Sequence, residues 1–442
     1  MCYAIPGRVV AIDGKTLTID YYGEKKKAYN EVSGIAVGNY VYAQGGYVIA
    51  RVSEEEALTT LEIWKDLFFE LQDTDVSLSK LDLSGTGVDR RVVGILDRAS
   101  QGLPLQDGEM LSLLRLKDRE SLELLYKTAN FLRQKHLSNS CCVHGIIEYT
   151  SYCTSDCLYC GIAAGVRSVK RYRMSRGEVL SAVDEAVNTY GFKALVLQGG
   201  EDPQWDGGEL AETVRAIKEK YAVLIFVSPG EVGIDGLQKL WDAGARGLLM
   251  RFETSNPELY GKIHPGQQLS DRLLHLEEAL RMGYLIVTGG LIGLPGQTEE
   301  DILADILLAR RLRAEMYSFG PYIPLPEPRL SGTSAVDTDL ILKTLAVARI
   351  ADPENAKILV TTGFETFDAG ARRKGLMAGA NSVMLNVTPG RYKEDYSIYP
   401  NRAHVKEPLS AQIESTLSLL QGIGRAPTDL GVSEGLPSRS GF

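Results

Sequence analysis

Within residues 1–52, apolar and polar positions alternate in short runs broken by Asp13-Gly14, Tyr22-Gly23 and Gly45-Gly46. Period-two alternation between turn dipeptides predicts strands at 4–12, 16–22, 26–31, 40–43 and 47–52. At Ser53-Glu54-Glu55-Glu56 the pattern changes. A capping box opens a run in which Leu61, Trp64, Phe68 and Leu71 recur at helical spacing. Residues 1–73 thus predict a small β-barrel domain with a C-terminal helix, with Trp64 anchoring its core. Residues 74–92, with Ser84-Gly85-Thr86-Gly87, read as a linker. Helical spacing returns at 91–100 and 121–135, where Leu122, Leu125, Ala129 and Leu132 mark one face.

From Ile146 onward, apolar runs at 146–149, 194–198, 223–227, 247–251, 284–290, 316–319, 358–361 and 382–385 predict strands. Helical patterns at 176–190, 209–220, 236–242, 299–311, 338–349 and 410–420 alternate with or follow them. Eight such units predict an α/β fold, a parallel (β/α)8 barrel of TIM type over 93–425, with 426–442 as a tail. In that architecture the chemistry gathers on loops at the C-terminal ends of the strands.

Composition narrows the function classes. The chain has 442 residues, 44% apolar and 24% charged, which accommodates one large and one small domain. Its net charge is −9, and the Lys25–Lys27 run is too short for a nucleic-acid surface, so no nucleic-acid partner is expected. No run approaches about 18 apolar residues, so no membrane span is expected. The N-terminus lacks a basic and apolar signal pattern, so a cytoplasmic location is expected.

Three of the six cysteines, Cys153, Cys157 and Cys160, follow the first large-barrel strand with spacing C-x3-C-x2-C. A structural zinc site takes four ligands, and neither another cysteine nor a histidine lies within the next dozens of residues. Three thiolates instead suit a 4Fe-4S cluster with one iron left open to a small molecule. S-adenosylmethionine (SAM) radical chemistry requires that arrangement. Tyr159, just before the last cysteine, resembles the aromatic residue that flanks the adenine in radical SAM enzymes. Cys141 and Cys142 are adjacent and read as buried structural residues.

Further candidates stand at the strand ends. Gln198-Gly199-Gly200-Glu201 resembles the G-G-E motif of radical SAM enzymes, whose backbone and side chain receive the SAM amino group. Ser228 and Glu231 end the third strand, where a carboxylate can accept both ribose hydroxyls. Arg251 ends the fourth and can pair with the SAM carboxylate, or else form an ion pair with Glu231. Thr298 and Asp301 read as a helix cap. Thr361, Thr362, Asn386 and Thr388 are expected to supply hydroxyls and an amide to a lower cavity.

Two family resemblances follow from these motifs. Met1-Cys2-Tyr3-Ala4-Ile5-Pro6-Gly7 and Val37-Gly38-Asn39-Tyr40-Val41 resemble the HypC hydrogenase assembly chaperones. The resemblance implies that Cys2 ligates an iron carrying CN and CO. Where that family has V-H-x-G, this chain has Ala43-Gln44-Gly45-Gly46. The C-x3-C-L-Y-C-G, V-L-Q-G-G-E-D-P, S-P-G-E, R-F-E-T-S-N-P, G-L-P-G-Q-T and N-V-T-P segments resemble the HydE radical SAM maturases of FeFe-hydrogenase. Biotin synthase and methylornithine synthase share the cysteine motif. The resemblance implies a 4Fe-4S cluster, SAM, a one-electron reductant such as ferredoxin or flavodoxin, and an organometallic substrate. A HypD-like maturation partner is also implied. Phe252 stands where HydE has histidine, and no cysteine follows Cys160 for a second cluster. Two alternatives stay open: a non-catalytic cluster scaffold, or an enzyme acting on a small amino acid.

Overall fold

The computed structural model describes residues 5–84, 87–327, 329–330 and 336–429. Cys2 lies outside the described residues. Five strands, β1 (Gly7–Asp13), β2 (Thr16–Tyr21), β3 (Glu24–Tyr29), β4 (Tyr40–Gln44) and β5 (Tyr47–Val52), close a small barrel in the order β1-β2-β3-β5-β4. Alternation fills it: Leu17, Ile19 and Tyr21 point inward from β2, between more exposed neighbours. Helix α1 (Glu54–Leu78) starts where the Ser53 side chain accepts the Glu56 amide hydrogen, and it runs past residue 73. Phe68 and Leu71 enter the small-barrel core, with Leu61 and Leu67 packed against it. Trp64 is only half-buried and lies outside that core, contrary to the anchoring role expected from its spacing.

Helices α2 (Arg90–Ser100), α3 (Asp107–Leu114) and α4 (Arg119–Leu137) precede the large barrel. Buried Asp75 of α1 accepts from Arg133 of α4 at 2.6 and 2.7 Å and from Arg425 at 2.9 Å, joining three distant segments. The large barrel contains β6 (Cys142–Thr150), β7 (Ala194–Gly199), β8 (Leu224–Ser228), β9 (Gly247–Leu249) and β10 (Leu285–Thr288). After the short β11 (Leu291–Ile292) come β12 (Met316–Tyr317), β13 (Gly320–Pro321), β14 (Lys357–Val360) and β15 (Ser382–Asn386). Eight of these form a closed barrel, β10-β12-β14-β15-β6-β7-β8-β9, and every pairing is parallel. The expected fifth and sixth strands are each interrupted, and β11 and β13 pair as a separate two-stranded sheet. Built at Gly289, where the fifth breaks, a Cβ would lie 2.4 Å from the Ser318 carbonyl oxygen, so only glycine lets the chains pass there.

The small barrel seats on the floor of the large one. Gly45 faces Leu224 and Leu285, the first residues of β8 and β10, and Tyr47 shares an apolar cluster with Cys142, Ala194 and Leu224. The Arg246–Glu31 ion pair (2.8 Å) adds a polar contact between the two. No helix among the described residues is long and apolar enough to cross a membrane.

Candidate active site

The loop after β6 carries all three motif cysteines, and backbone carbonyls captured by Arg171 shape it. The Arg171 guanidinium donates to the carbonyls of Ile162 (2.6 Å), Ala163 (2.7 Å) and Val166 (3.1 Å). Arg173 forms a fork on Asp202 at 2.6 and 2.9 Å, tying this loop to the one after β7. The two loops are also joined through backbone: the Thr154 amide donates to the Glu201 carbonyl (2.9 Å) and the Glu201 amide to the Cys153 sulfur (3.4 Å). This approach needs glycine at 200. A Cβ there would stand 2.2 Å from the Tyr152 carbonyl oxygen and 2.8 Å from the Cys153 Cβ.

A cavity of about 310 Å³ opens at these strand ends, a size within the range of small-ligand sites. Cys153, Cys157, Cys160, Tyr159, Gly199, Gly200, Glu201, Ser228 and Arg251 all line it. The structure thus brings together all of the described residues expected to hold the cluster and SAM except Glu231, which is outside the lining. Glu231 lies 2.7 Å from Arg272, while Arg251 lies 2.7 Å from Glu253; the alternative Arg251–Glu231 pair is not formed. The Glu201 carboxylate accepts from the Ser155 hydroxyl and the Glu231 amide (3.2 Å) and faces Arg272 at 4.0 Å.

Arg272 was missed by sequence reasoning. It extends from the helix Leu269–Met282, whose buried side includes Leu269, Leu276 and Ala279. An arginine on such a face signals a buried anion partner. Burial opposes its charge, but Tyr260 and Glu231 outweigh that and hold its pKa above the ordinary arginine value. His264 was also missed. Its Nδ1 lies 3.3 Å from the Cys157 sulfur and 2.9 Å from Gln267 Oε1, and its Nε2 lies 3.3 Å from the Tyr159 hydroxyl. Burial, with Arg272 beside it, pushes its pKa down to about 3, so the imidazole is neutral.

Deeper in the cavity, Thr361, Thr362 and Asn386 contribute as expected. Thr388 instead receives the Glu148 amide and is buried outside the lining. Asn386 and Arg402 both donate to the buried Glu148 carboxylate. Phe252 is fully buried in the main core and does not line the cavity, so this departure from the HydE pattern places no apolar ring at the site. The Thr298–Asp301 cap is formed.

The donor set fits a cluster. None of the three thiols is in a disulfide, and all face one cavity. Burial pushes their pKa values up, Cys160 to about 12, so a cationic group is needed to hold them as thiolates. Arg251 also lines the cavity; its guanidinium pairs with Glu253 and its buried Nε has no hydrogen-bond partner among the described residues, so the group retains unused donor capacity.

A closed parallel barrel with three cysteines on the loop after its first strand is a radical SAM enzyme fold. The family model for the Radical SAM superfamily matches residues 147–309, and that for the HupF/HypC family matches residues 1–64. The chain is 35% identical over 314 residues to the [FeFe] hydrogenase maturase subunit HydE of Thermotoga maritima, covering 71% of this chain and 89% of that protein. It belongs to the HydE family of radical SAM enzymes and carries a HypC-like domain at its N-terminus. A 3-methylornithine synthase of Methanosarcina barkeri is 27% identical over 75% of this chain and 93% of its own. The crystal structure of methylornithine synthase (PylB) matches with a TM-score of 0.67 and 26% identity, covering 76% of this chain and 98% of that one. HydG from Carboxydothermus hydrogenoformans shares the fold, with a TM-score of 0.64 at 18% identity over 80% of this chain and 83% of that one.

Proposed function

We propose that this enzyme reductively cleaves SAM to methionine and a 5′-deoxyadenosyl radical during maturation of a hydrogenase-type iron–CO/CN cofactor. The convergence of the cysteine loop, the G-G-E loop and Arg251 on one cavity, in a HydE relative, carries the reading. Cys153, Cys157 and Cys160 would hold a 4Fe-4S cluster, which when bound supplies the electron that breaks the SAM sulfonium bond. Gly199, Gly200 and Glu201 receive the amino group, Arg251 the carboxylate, and Tyr159 and Ser228 border the adenosine. Glu231 reaches the ribose once its pairing with Arg272 loosens, or acts by orienting Glu201. The closed barrel keeps water from the radical.

Residues 1–73 form the HypC-like unit in this reading, 74–92 the connection, 93–425 the catalytic unit and 426–442 the tail. Cys2 binds or transfers the iron unit, and a HypD-like maturation protein is its partner. The reductant is a ferredoxin or flavodoxin in a cytoplasm that keeps thiols reduced.

The test is anaerobic reconstitution followed by measurement of reductant-dependent 5′-deoxyadenosine, beside Cys157→Ala. Cleavage that vanishes in the variant supports the reading; a loaded cluster with bound SAM and no cleavage identifies a scaffold. The methylornithine synthase likeness favours a second reading, a small amino-acid substrate. Stimulation of 5′-deoxyadenosine formation by an amino acid, and none by an iron–CO/CN complex, would select it.

A further inference from the structure

At the floor of the large barrel, opposite the cavity, Cys142 and His144 project inward two residues apart on β6 and meet Asp429. All three are buried, and their ligand atoms lie within 4.8 Å of one another. We propose that Cys142, His144 and Asp429 form a transition-metal site in the seam between the two barrels, suited to a borderline divalent ion such as iron(II) or zinc(II).

Donor chemistry supports this first. A thiolate, an imidazole and a carboxylate are the ligand set of such ions, whereas calcium and magnesium take oxygen alone. Without metal, the Cys142 sulfur lies 3.0 Å from His144 Nε2, as a thiol–imidazole pair that a metal would replace with release of the thiol proton. Three protein ligands leave a fourth position for an external ligand.

Unmet polar capacity is the second support. Gln44 Oε1 is buried without a partner among the described residues, although buried polar atoms are generally paired, and a ligand in the open fourth position could donate to it. The Gln44 Nε2 donates to Asp429 at 3.0 Å and to Cys142 at 3.6 Å, so the small barrel closes the site from below.

Charge is the third. Asp429 also accepts from the Gly45 amide (3.0 Å) and pairs with Lys357 at 3.2 Å, but Lys357 is shared with Glu315. Two carboxylates thus share one ammonium, so Lys357 does not fully neutralise Asp429.

The test uses full-length protein with its 4Fe-4S cluster reconstituted and oxidised, so that the cluster thiolates are occupied and the cluster is silent in electron paramagnetic resonance. Cobalt(II) is then titrated in. One tightly held high-spin cobalt per chain is expected, with affinity falling at least about 100-fold in Cys142→Ser and in His144→Gln while cluster iron is unchanged. No retained cobalt, or retention equal in both variants, overturns the proposal. Should a variant lose its cluster through misfolding, melting of the unaltered holoprotein decides. A midpoint raised by cobalt and restored by EDTA supports the site, and no rise refutes it.

Discussion

Replacing Arg272 with leucine removes a cation that faces two carboxylates. The Arg272 side chain is 9% exposed, Glu231 is 17% exposed and 2.7 Å away, and Glu201 is 20% exposed and 4.0 Å away. At an effective dielectric of about 20, unit charges roughly 4 Å apart attract by about 4 kcal/mol. Arginine desolvation opposes that gain in the native protein, and after substitution the two carboxylates are left without their cation. The net loss is that of breaking a largely buried pair, about 3–5 kcal/mol. With an unfolding entropy near 2 cal/mol/K per residue, 442 residues melting as one unit would lose about 3–5 °C. SAM affinity should fall too, because Glu201 loses the charge that orients it, whereas cluster iron should not. Arg272→Lys keeps the charge without the planar fork and should recover part of both quantities. Circular dichroism melts and equilibrium dialysis of SAM on reconstituted protein measure them. A leucine variant that melts within about 1 °C of the parent and binds SAM equally well would refute the role given to this arginine.

Asp305, buried beside Asp301 and Glu253, has its pKa raised by burial from 3.8 to about 7. Between those values the folded state holds a proton the unfolded state has released. Stability therefore falls as pH rises through that window, by on the order of 4 kcal/mol. Melting points from pH 4 to 8 should show this decline in the parent and not in Asp305→Asn. Gly200→Ala puts a methyl group 2.2 Å from the Tyr152 carbonyl oxygen and 2.8 Å from the Cys153 Cβ. Iron analysis and visible absorption should show loss of most of the cluster while the far-ultraviolet dichroism stays near normal. Asp75→Leu strands the buried guanidiniums of Arg133 and Arg425 and should cost about 3–5 kcal/mol in a urea melt.

The eight strands were legible because strands buried on both faces make nearly unbroken apolar runs. The exception is instructive. β6 begins at Cys142, four residues before the apolar run suggests, because His144 and Gly145 interrupt the pattern. The hidden residues are those of the floor cluster, so the strand length that sequence missed is the part with unassigned chemistry. The mouth was better written: cysteine spacing and the G-G-E turn are local, and the fold brings them together. Arg272 and His264 were harder because their partners are distant in sequence. Phe252 illustrates a different limit. A motif comparison notes that it replaces a histidine, but only the fold shows that it packs into the core while Arg251 beside it faces the cavity.

The position of the small barrel constrains how its two halves cooperate. It contacts the N-terminal strand ends, through Gly45 on Leu224 and Leu285 and through Gln44 on Cys142, whereas the three motif cysteines lie at the opposite ends. Between floor and cavity, Ile146, Leu249, Leu359 and Met384 border the cavity and also pack into the apolar cluster that contains Cys142 and Tyr47. This layer is a barrier to a charged or hydrated iron complex, since leaving it without hydrogen-bond partners costs several kcal/mol. A metal unit held at the floor therefore cannot reach the cysteine-lined cavity along the barrel axis in this conformation. If the HypC-like domain hands cargo to the catalytic cavity, the route runs around the outside of the barrel, through a second molecule or a partner protein.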